Sequence, residues 1–244
     1  MSAGFPLEIL PQPNDTTCGP TCLHAVYGYY GDRLSLEQVV AEVATLQEGG
    51  TLAVFLACHA LRRGYQATIY TYNLQVFDPT WFDQPGVDLC SQLRTQMQQK
   101  TDDKLYEASE GYLTFLELGG TVRYEDLTLA LIRKQLLRGR PILTGLSATY
   151  LYREMREFGP DCQPDAVRGL PVGHFVVLCG YSPQTREVLV ADPIHPNPLS
   201  NTRIYPVGIQ RVLGAIFLGI VTHDANLLIL EPRKTPTRRK RASP

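Results

Sequence analysis

The sequence lacks both an excess of charge and a long uninterrupted apolar run, and each absence excludes a class of partner. Among 244 residues, 23 Lys and Arg almost balance 24 Asp and Glu, which leaves a formal net charge of −1. A chain so balanced has no general attraction to nucleic acid or to anionic membranes. The most apolar later stretch, residues 212–230, is interrupted by polar residues at 222–224, so each half is too short to cross a bilayer. We therefore expect neither a nucleic-acid partner nor a membrane span.

An export signal and paired cysteine motifs are also missing. The N-terminus does not show the basic segment followed by an apolar one that marks a signal peptide. The six cysteines are scattered without a C-x-x-C pair, which favours free thiols in a reducing cytoplasm over a disulfide framework. Cys22, His24 and His59 match no zinc motif, and no glycine loop of the phosphate-binding type is present. We predict a cytoplasmic protein without a metal or another cofactor.

The chain shows no internal repeat and no low-complexity linker, and this favours one domain over residues 1–232. With 44% hydrophobic and 19% charged residues, the chain can bury a sizeable core. Residues 233–244 differ because basic side chains are concentrated there. Such a tail is usually solvated and disordered, and less often a docking arm.

Hydrophobic spacing predicts helices first and strands afterwards. Caps, glycine stops and a period near 3.6 predict helices over about 17–30, 35–45, 51–63, 88–99 and 124–138, with an early strand at 66–70. Short β-rich runs follow at 141–146, 173–181, 187–191, 215–221 and 226–230. The expected fold class is α+β, with an N-terminal helical lobe packed on a C-terminal antiparallel β-sheet.

Cys18 is the strongest candidate for a nucleophile. Residues 15–17 are suitable caps and Pro20 suits a first helical turn, so the cysteine is expected at the N-terminus of a helix. Unpaired N–H groups and the helix dipole favour an anion there, and the thiolate is the nucleophilic form of cysteine. Gly19 is expected to keep the space beside the sulfur open. The alternative is a cysteine packed as a small hydrophobic residue.

His174 and Asp192 are expected to meet across two neighbouring strands. His174 and Val176 point to one face of an apolar strand, and Asp192 ends the next strand ahead of Pro193. If residues 182–186 form the loop, Val176 faces Asp192, and the carboxylate lies diagonal to His174 on the same face. A four-residue loop would move the carboxylate to the opposite face. Taken singly, these residues could also be a core histidine and a turn aspartate.

A cysteine, a histidine and an aspartate in this order suit acyl transfer. His174 follows Cys18 by about 150 residues, an order and separation found in papain-like enzymes. Cys18 would attack a carbonyl carbon, His174 would take and return the proton, and Asp192 would orient the imidazole. The Cys18 N–H would be one donor to the oxyanion, and the side-chain amide of Gln12 would be the second.

Three segments carry a family resemblance: Gln12-x5-Cys18-Gly19-Pro20, Gly173-His174-Phe175-Val176-Val177 and Val190-Ala191-Asp192-Pro193. Together they resemble the C39 and C39-like peptidases, a papain-like group that includes the bacteriocin-processing enzymes acting on double-glycine leader peptides. The resemblance covers about residues 8–195. It implies a papain-like fold, a triad of Cys18, His174 and Asp192, and Gln12 in the oxyanion hole. The implied substrate is a peptide or protein, cleaved after small residues.

Two features depart from the family pattern and leave the substrate open. Members that mature leader peptides usually sit on an ABC transporter, and no membrane or ATPase segment is recognised in this sequence. The stretch 72–125 is longer than a minimal domain of this kind needs. A related thiol amidase, isopeptidase or acyltransferase would use the same residues, and a peptide-binding module with little turnover would keep the same fold. The oligomeric state is not indicated by the sequence.

Overall fold

The computed structural model describes residues 4–47 and 49–233, and a seven-stranded β-sheet forms its centre. The helices are α1 Cys18–Tyr29, α2 Leu36–Glu42, α3 Ala53–Arg62, α4 Thr80–Asp83, α5 Leu89–Gln99, α6 Asp103–Glu117, α7 Leu129–Leu136, α8 Ala148–Tyr152 and α9 Ile209–Leu218, followed by a 3-10 turn at Gly219–Thr222. The strands are β1 Tyr65–Thr71, β2 Thr121–Arg123, β3 Ile142–Ser147, β4 Glu157–Phe158, β5 Gln163–Pro164, β6 Gly173–Ser182, β7 Glu187–Ala191, β8 Ile204–Gly208 and β9 Asn226–Pro232.

The sheet joins the two halves of the chain. Its strand order is β2-β1-β9-β3-β6-β7-β8, and every neighbouring pair is antiparallel except β1 with β2. Strand β1, from the helical half, pairs along its whole length with β9, from the end of the described chain. The α+β class with an antiparallel sheet is therefore confirmed. The long pairing of β1 with β9 also supports a single domain over residues 1–232, which we retain as a proposal.

Strand β6 runs through the middle of the core and is buried on both faces. Phe175 and Val177 belong to a hydrophobic cluster shared with α1, α3 and α6 on one side of the sheet. Val176 and Leu178 belong to a second cluster shared with α7, α8 and α9 on the other side. The alternation expected from the sequence is confirmed, and it places the His174 side chain on the face that carries the second cluster.

Several sequence expectations need correction. Residues 215–221 do not form a strand but belong to α9 and the 3-10 turn, because the buried residues Ile209, Val212, Ala215 and Ile216 repeat with a helical period. The helix expected over 124–138 begins only at Leu129, where the Thr128 hydroxyl accepts a hydrogen bond from the Leu131 N–H at 3.2 Å. The remaining helices and strands expected from the sequence lie within a few residues of their expected bounds.

Most of the helices and strands that the sequence did not predict lie in the stretch 72–125. It forms α4, α5, α6 and β2, and of these only α5 was expected. The Asp102 carboxylate caps α6 by accepting from the Leu105 N–H at 2.6 Å, and the buried side chains of α6 include Tyr112 and Phe115. Helix α6 packs on α3 and thereby thickens the helical layer behind α1. The basic tail from residue 234 onwards lies outside the described residues.

Candidate active site

Cys18 is the first residue of α1, as the sequence predicts, but the cap before it is unusual. Thr17 occupies the N-cap position and makes no side-chain hydrogen bond to the helix. Its hydroxyl instead donates to the Asn14 carbonyl at 2.9 Å and accepts from the Asn14 N–H at 3.2 Å. The first-turn N–H groups of α1 are thus left without a side-chain cap. An anion next to Cys18 would therefore find unpaired N–H donors at the positive end of the helix dipole.

Gly19 allows close packing. The sequence had suggested instead that it keeps space open beside the Cys18 sulfur. The residue is buried, and a Cβ atom there would lie 2.6 Å from Thr51 Cγ2 and 3.3 Å from a ring carbon of Phe175. Real Cβ atoms do not approach so closely. Glycine is therefore required because the tip of α1 touches both α3 and β6, and this contact places Cys18 beside the start of β6.

The strand register that brings Asp192 next to His174 differs from the one expected from the sequence. Ser182 pairs with Glu187, so the loop contains only residues 183–186 rather than 182–186. This shorter loop alone would place Asp192 on the wrong face of the sheet. A bulge between Leu178 and Gly180 inserts one extra residue and restores the register, so that Val177 pairs with Ala191. The predicted five-residue loop was wrong, but the residue inserted at the bulge returns Asp192 to the face that carries His174.

His174 and Asp192 form a buried pair. Nε2 of the imidazole lies 2.8 Å from Asp192 Oδ1, and the two side chains are 6% and 0% exposed. Burial acts to lower the pKa of His174, but hydrogen bonds to Asp192 and Cys18 and the negative charges of both raise it to about 10. Burial acts to raise the pKa of Asp192, whereas its hydrogen bonds, led by that with His174, hold the pKa below its usual value. An imidazolium–carboxylate pair is favoured at neutral pH.

The Asp192 carboxylate is surrounded by hydrogen-bond donors that sequence reasoning missed. Besides the imidazole, Oδ1 accepts from the Ile194 N–H at 3.1 Å. Oδ2 accepts from the hydroxyls of Tyr152 at 2.8 Å and Tyr205 at 2.5 Å, and from the Asn197 amide at 2.9 Å. These donors stabilise a buried anion that would otherwise be costly. A sequence signal for them is weak, because a tyrosine in a helix or strand resembles any other partly buried aromatic residue.

Cys18 and His174 line the same cleft. The Cys18 sulfur interacts with the imidazole and contributes to its raised pKa. Since Nε2 is occupied by Asp192, Nδ1 is the ring nitrogen left for the sulfur. The cleft has a volume of about 390 Å³ and its walls come from the α1 tip, the start of β6 and the segment around Glu157 to Val172. Cys18, His174 and Asp192 are therefore brought together.

Gln12 lies beside this group without a direct contact to it. Its N–H donates to the carbonyl of Pro193 at 2.9 Å, which ties the entry segment to the residue after Asp192. Its side-chain Nε2 donates to the Asn14 carbonyl at 3.0 Å, and Oε1 is buried without a partner among the described residues. The amide thus lies next to the start of α1 with one N–H still available. Its role as an oxyanion donor stays a prediction.

The other cysteine and histidine candidates have structural contacts. Cys22 is fully buried with its sulfur 3.2 Å from the Phe175 carbonyl, and burial raises the pKa of its thiol well above the usual value. His59 is buried between the Tyr27 hydroxyl at 2.8 Å and Glu42 at 3.0 Å. Among residues 4–47 and 49–233, no three His, Cys, Asp or Glu side chains are grouped so that they could hold a metal ion.

Comparison with known families gives a match over most of the chain. The model of the family described as Peptidase_C39 like family matches residues 6–212. No curated protein sequence shows significant similarity. Within the part of the chain that the structure describes, no helix combines the length and the apolar character that crossing a bilayer requires.

Solved structures similar to this chain share little sequence with it. The peptidase domain of Streptococcus ComA, a bi-functional ABC transporter involved in a quorum sensing pathway, is 14% identical with a TM-score of 0.43, over 93% of this chain and 99% of that chain. A putative C39-like peptidase from Bacillus anthracis is 13% identical with a TM-score of 0.45, over 96% and 100%. Xylellain, a cysteine protease from Xylella fastidiosa, is 11% identical with a TM-score of 0.47, over 96% and 86%.

Proposed function

The chain belongs to the Peptidase_C39 like family, and from this premise we propose that it is a cysteine peptidase that hydrolyses a peptide bond through Cys18, His174 and Asp192. The observation that carries the proposal is the buried His174–Asp192 pair, which shares a cleft with a cysteine at an uncapped helix N-terminus. A nucleophile, a base and an orienting carboxylate in this relation are what acyl transfer by a thiol requires.

The geometry supports a thiolate–imidazolium pair as the resting state. The raised pKa of His174 keeps the ring protonated at neutral pH, and a helix N-terminus beside an imidazolium favours the thiolate, which is the nucleophilic form of a cysteine. The sulfur attacks the substrate carbonyl carbon, and the developing oxyanion accepts hydrogen bonds from the Cys18 N–H and the Gln12 amide. His174 then protonates the leaving amine, which gives a thioester. Water deprotonated by His174 hydrolyses the thioester and regenerates the thiolate and the imidazolium.

The substrate that fits this proposal is a peptide or protein cleaved after small residues. The cleft is open to solvent and presents the backbones of Gly49, Gly50 and Gly159 along its walls, and such walls accommodate an extended peptide chain. A thiol amidase, isopeptidase or acyltransferase would use the same three residues on another acyl donor. A peptide-binding module with little turnover is the second alternative. It differs because it does not require a reactive Cys18.

Labelling of Cys18 tests the proposal without knowledge of the substrate. Iodoacetamide at pH 6.5 should modify Cys18 faster than it modifies free cysteine, whose thiol has a pKa of about 8.5 and is mostly protonated at that pH. His174→Ala should slow the reaction by roughly tenfold or more, because the imidazolium that pairs with the thiolate is lost. The measurement is the intact mass over time, with the site confirmed by peptide mapping. Labelling at the rate of free cysteine in both proteins would refute the proposal.

Gln12→Ala tests the oxyanion donor. A single such donor contributes on the order of a hundredfold to kcat, so the variant should lose about that factor with little change in KM or Tm. Gln12→Glu should be at least as damaging, because a carboxylate repels both the oxyanion and the thiolate. The matched control is Gln38→Ala in the capping box of α2, an exposed glutamine that does not line the cleft. Wild-type turnover by Gln12→Ala would place the oxyanion donor elsewhere.

A further inference from the structure

Asp224 is an acidic residue of the cleft that has no part in the mechanism above. It follows the 3-10 turn and precedes β9, is 5% exposed, and lines the cleft together with Cys18 and His174. Its carboxylate lies against the backbone of Gly173, where an added Cβ would be 2.6 Å from Oδ2, and it would also overlap a Cβ at Gly145. Asp224 therefore requires glycine at position 145, and together with Thr222 it requires glycine at position 173.

The carboxyl group of Asp224 is only half satisfied. Thr222 Oγ1 lies 3.0 Å from Oδ2 and also 3.0 Å from the Gly219 carbonyl. Since a hydroxyl has one hydrogen, it can serve only one of these acceptors at a time. Oδ1 has no hydrogen-bond partner among residues 4–47 and 49–233. Oδ1 is not completely buried, and because Asp224 lines the cleft, this oxygen is open to a hydrogen-bond donor from outside the chain.

The backbone holds this carboxyl group in place at a cost. The residues on either side of it, His223 and Ala225, adopt left-handed conformations with φ of 64° and 62°. Residues other than glycine rarely adopt this region, and the backbone is strained where they do. Strain of this kind is often found where a side chain is held for binding or catalysis.

The charges that face Asp224 leave it available to a cation. Lys104 of α6 lines the same cleft, yet within the described residues no ion pair of 4.0 Å or less joins it to Asp224. Tyr112 of α6 and His174 of β6 are the other titratable groups whose charges it feels. Burial raises the pKa of Asp224 to about 7, while the Thr222 hydroxyl, Lys104 and His174 act to lower it. The group thus changes charge close to neutral pH.

The cleft as a whole also favours a positive ligand. Its described walls carry the carboxylates of Asp15, Glu157 and Asp224 against Lys104 and the His174 imidazolium, and the charge of that imidazolium is already paired with Asp192. A cationic donor placed near Cys18 would meet the unpartnered Oδ1 and would gain both a hydrogen bond and charge attraction. A neutral donor would gain the hydrogen bond alone.

We propose that Asp224 forms a subsite that binds a basic group of the substrate, a lysine or arginine side chain close to the scissile bond. The inference rests on the proposed function, because it places the reacting carbonyl at Cys18. It adds a substrate class that the triad by itself does not define. It also predicts that the preference for a cation increases as the pH rises through about 7.

Charged thiol reagents test this subsite on the full chain. The probes are 2-(trimethylammonio)ethyl methanethiosulfonate, a cation, and propyl methanethiosulfonate, a neutral reagent. With each, the thiolate displaces methanesulfinate and forms a mixed disulfide. A Cys90→Ala/Cys162→Ala background removes the two remaining accessible thiols, and intact mass over time gives the second-order rate constant at Cys18. The ratio of the cationic to the neutral rate constant reports the field at the sulfur.

In the background protein this ratio should be higher at pH 8 than at pH 5.5. Asp224→Asn should lower it by about fivefold at pH 8 and leave it unchanged at pH 5.5, where Asp224 is already neutral. Thr222→Val removes a hydrogen bond to the carboxylate and should move the pH of the rise upward. The matched control is Asp15→Asn, an exposed carboxylate on the same cleft, which should change the ratio less and equally at both pH values.

The outcomes separate this inference from the function on which it rests. Rapid labelling of Cys18 by the neutral reagent, with an unchanged ratio in Asp224→Asn, overturns the subsite and leaves the peptidase intact. An effect of Asp15→Asn as large as that of Asp224→Asn also overturns it. Slow labelling by both reagents, unaffected by His174→Ala, overturns the peptidase itself. If Asp224→Asn does not fold, the pH shift in Thr222→Val decides the question.

Discussion

Cys18→Ala should lose turnover by more than about 10⁵-fold, because without the sulfur no thioester can form and neither His174 nor the oxyanion donors can replace it. The fold should persist, since Cys18 is only partly buried at a helix tip and its replacement removes little packing. We expect Tm to stay within a few degrees of the parent protein. The measurement is cleavage of a peptide library followed by mass spectrometry, together with thermal unfolding.

The matched control for this variant is Cys90→Ala. Cys90 is another partly buried cysteine near the start of a helix, α5, and it does not line the cleft that holds Cys18. The control should keep the parent activity, which separates the loss of the nucleophile from the loss of any cysteine. Cleavage by Cys18→Ala at the parent rate would end the peptidase proposal, whatever the behaviour of the control.

Asp192→Ala should be the most destabilising of the variants considered. Its carboxylate is fully buried and accepts hydrogen bonds from His174, Tyr152, Tyr205 and Asn197. Removing the acceptor leaves these buried donors unpaired, and the loss of one member of a buried pair costs about 3–5 kcal/mol. For a chain of this size that corresponds to a fall in Tm of roughly 10 °C. Activity should fall by on the order of a thousandfold or more, because the imidazole loses its orientation.

Two further variants, Asp192→Asn and Tyr205→Phe, distinguish the loss of activity from the loss of stability. The asparagine keeps the shape but presents an amide where His174 requires an acceptor, so activity should fall far more than Tm does. Tyr205→Phe removes one donor from the carboxylate and leaves the pair with His174, so the free energy of unfolding should fall by about 1 kcal/mol with most activity retained. If Asp192→Asn turned over like the parent protein, the orienting role would belong to another residue.

Stability should depend on pH through the same pair. The folded-state pKa of His174 is raised, so its contribution is fully present below its ordinary value and is lost as the pH rises towards 10. The pKa of Asp192 is lowered, so its contribution is present above its ordinary value and is lost as the pH falls below it. The free energy of unfolding, measured with denaturant, should therefore be highest between the ordinary pKa values of the two groups, 3.8 for aspartate and 6.5 for histidine. Asp192→Ala should abolish this plateau.

Local sequence rules determined the elements on which the candidate site is built. The start of α1 at Cys18, the capping box at Ser35 and Gln38, and the apolar alternation of β6 all follow from neighbouring residues, and all are present. The family was equally accessible, because its motifs lie in short continuous segments. Residues 215–221 show the limit of such rules, since a short apolar run is compatible with either a helix or a strand until its packing partner is known.

What only the tertiary structure decided are the contacts between distant segments. The bulge beside Cys179 sets the face of Asp192, and a single inserted residue leaves no mark on the hydrophobic pattern. Tyr152, Tyr205 and Asn197 converge on one carboxylate from three parts of the chain. Asp224 reaches the cleft because the 3-10 turn and β9 bring it behind Gly173. Local sequence specifies which residues form an element, whereas packing between elements specifies which side chains meet.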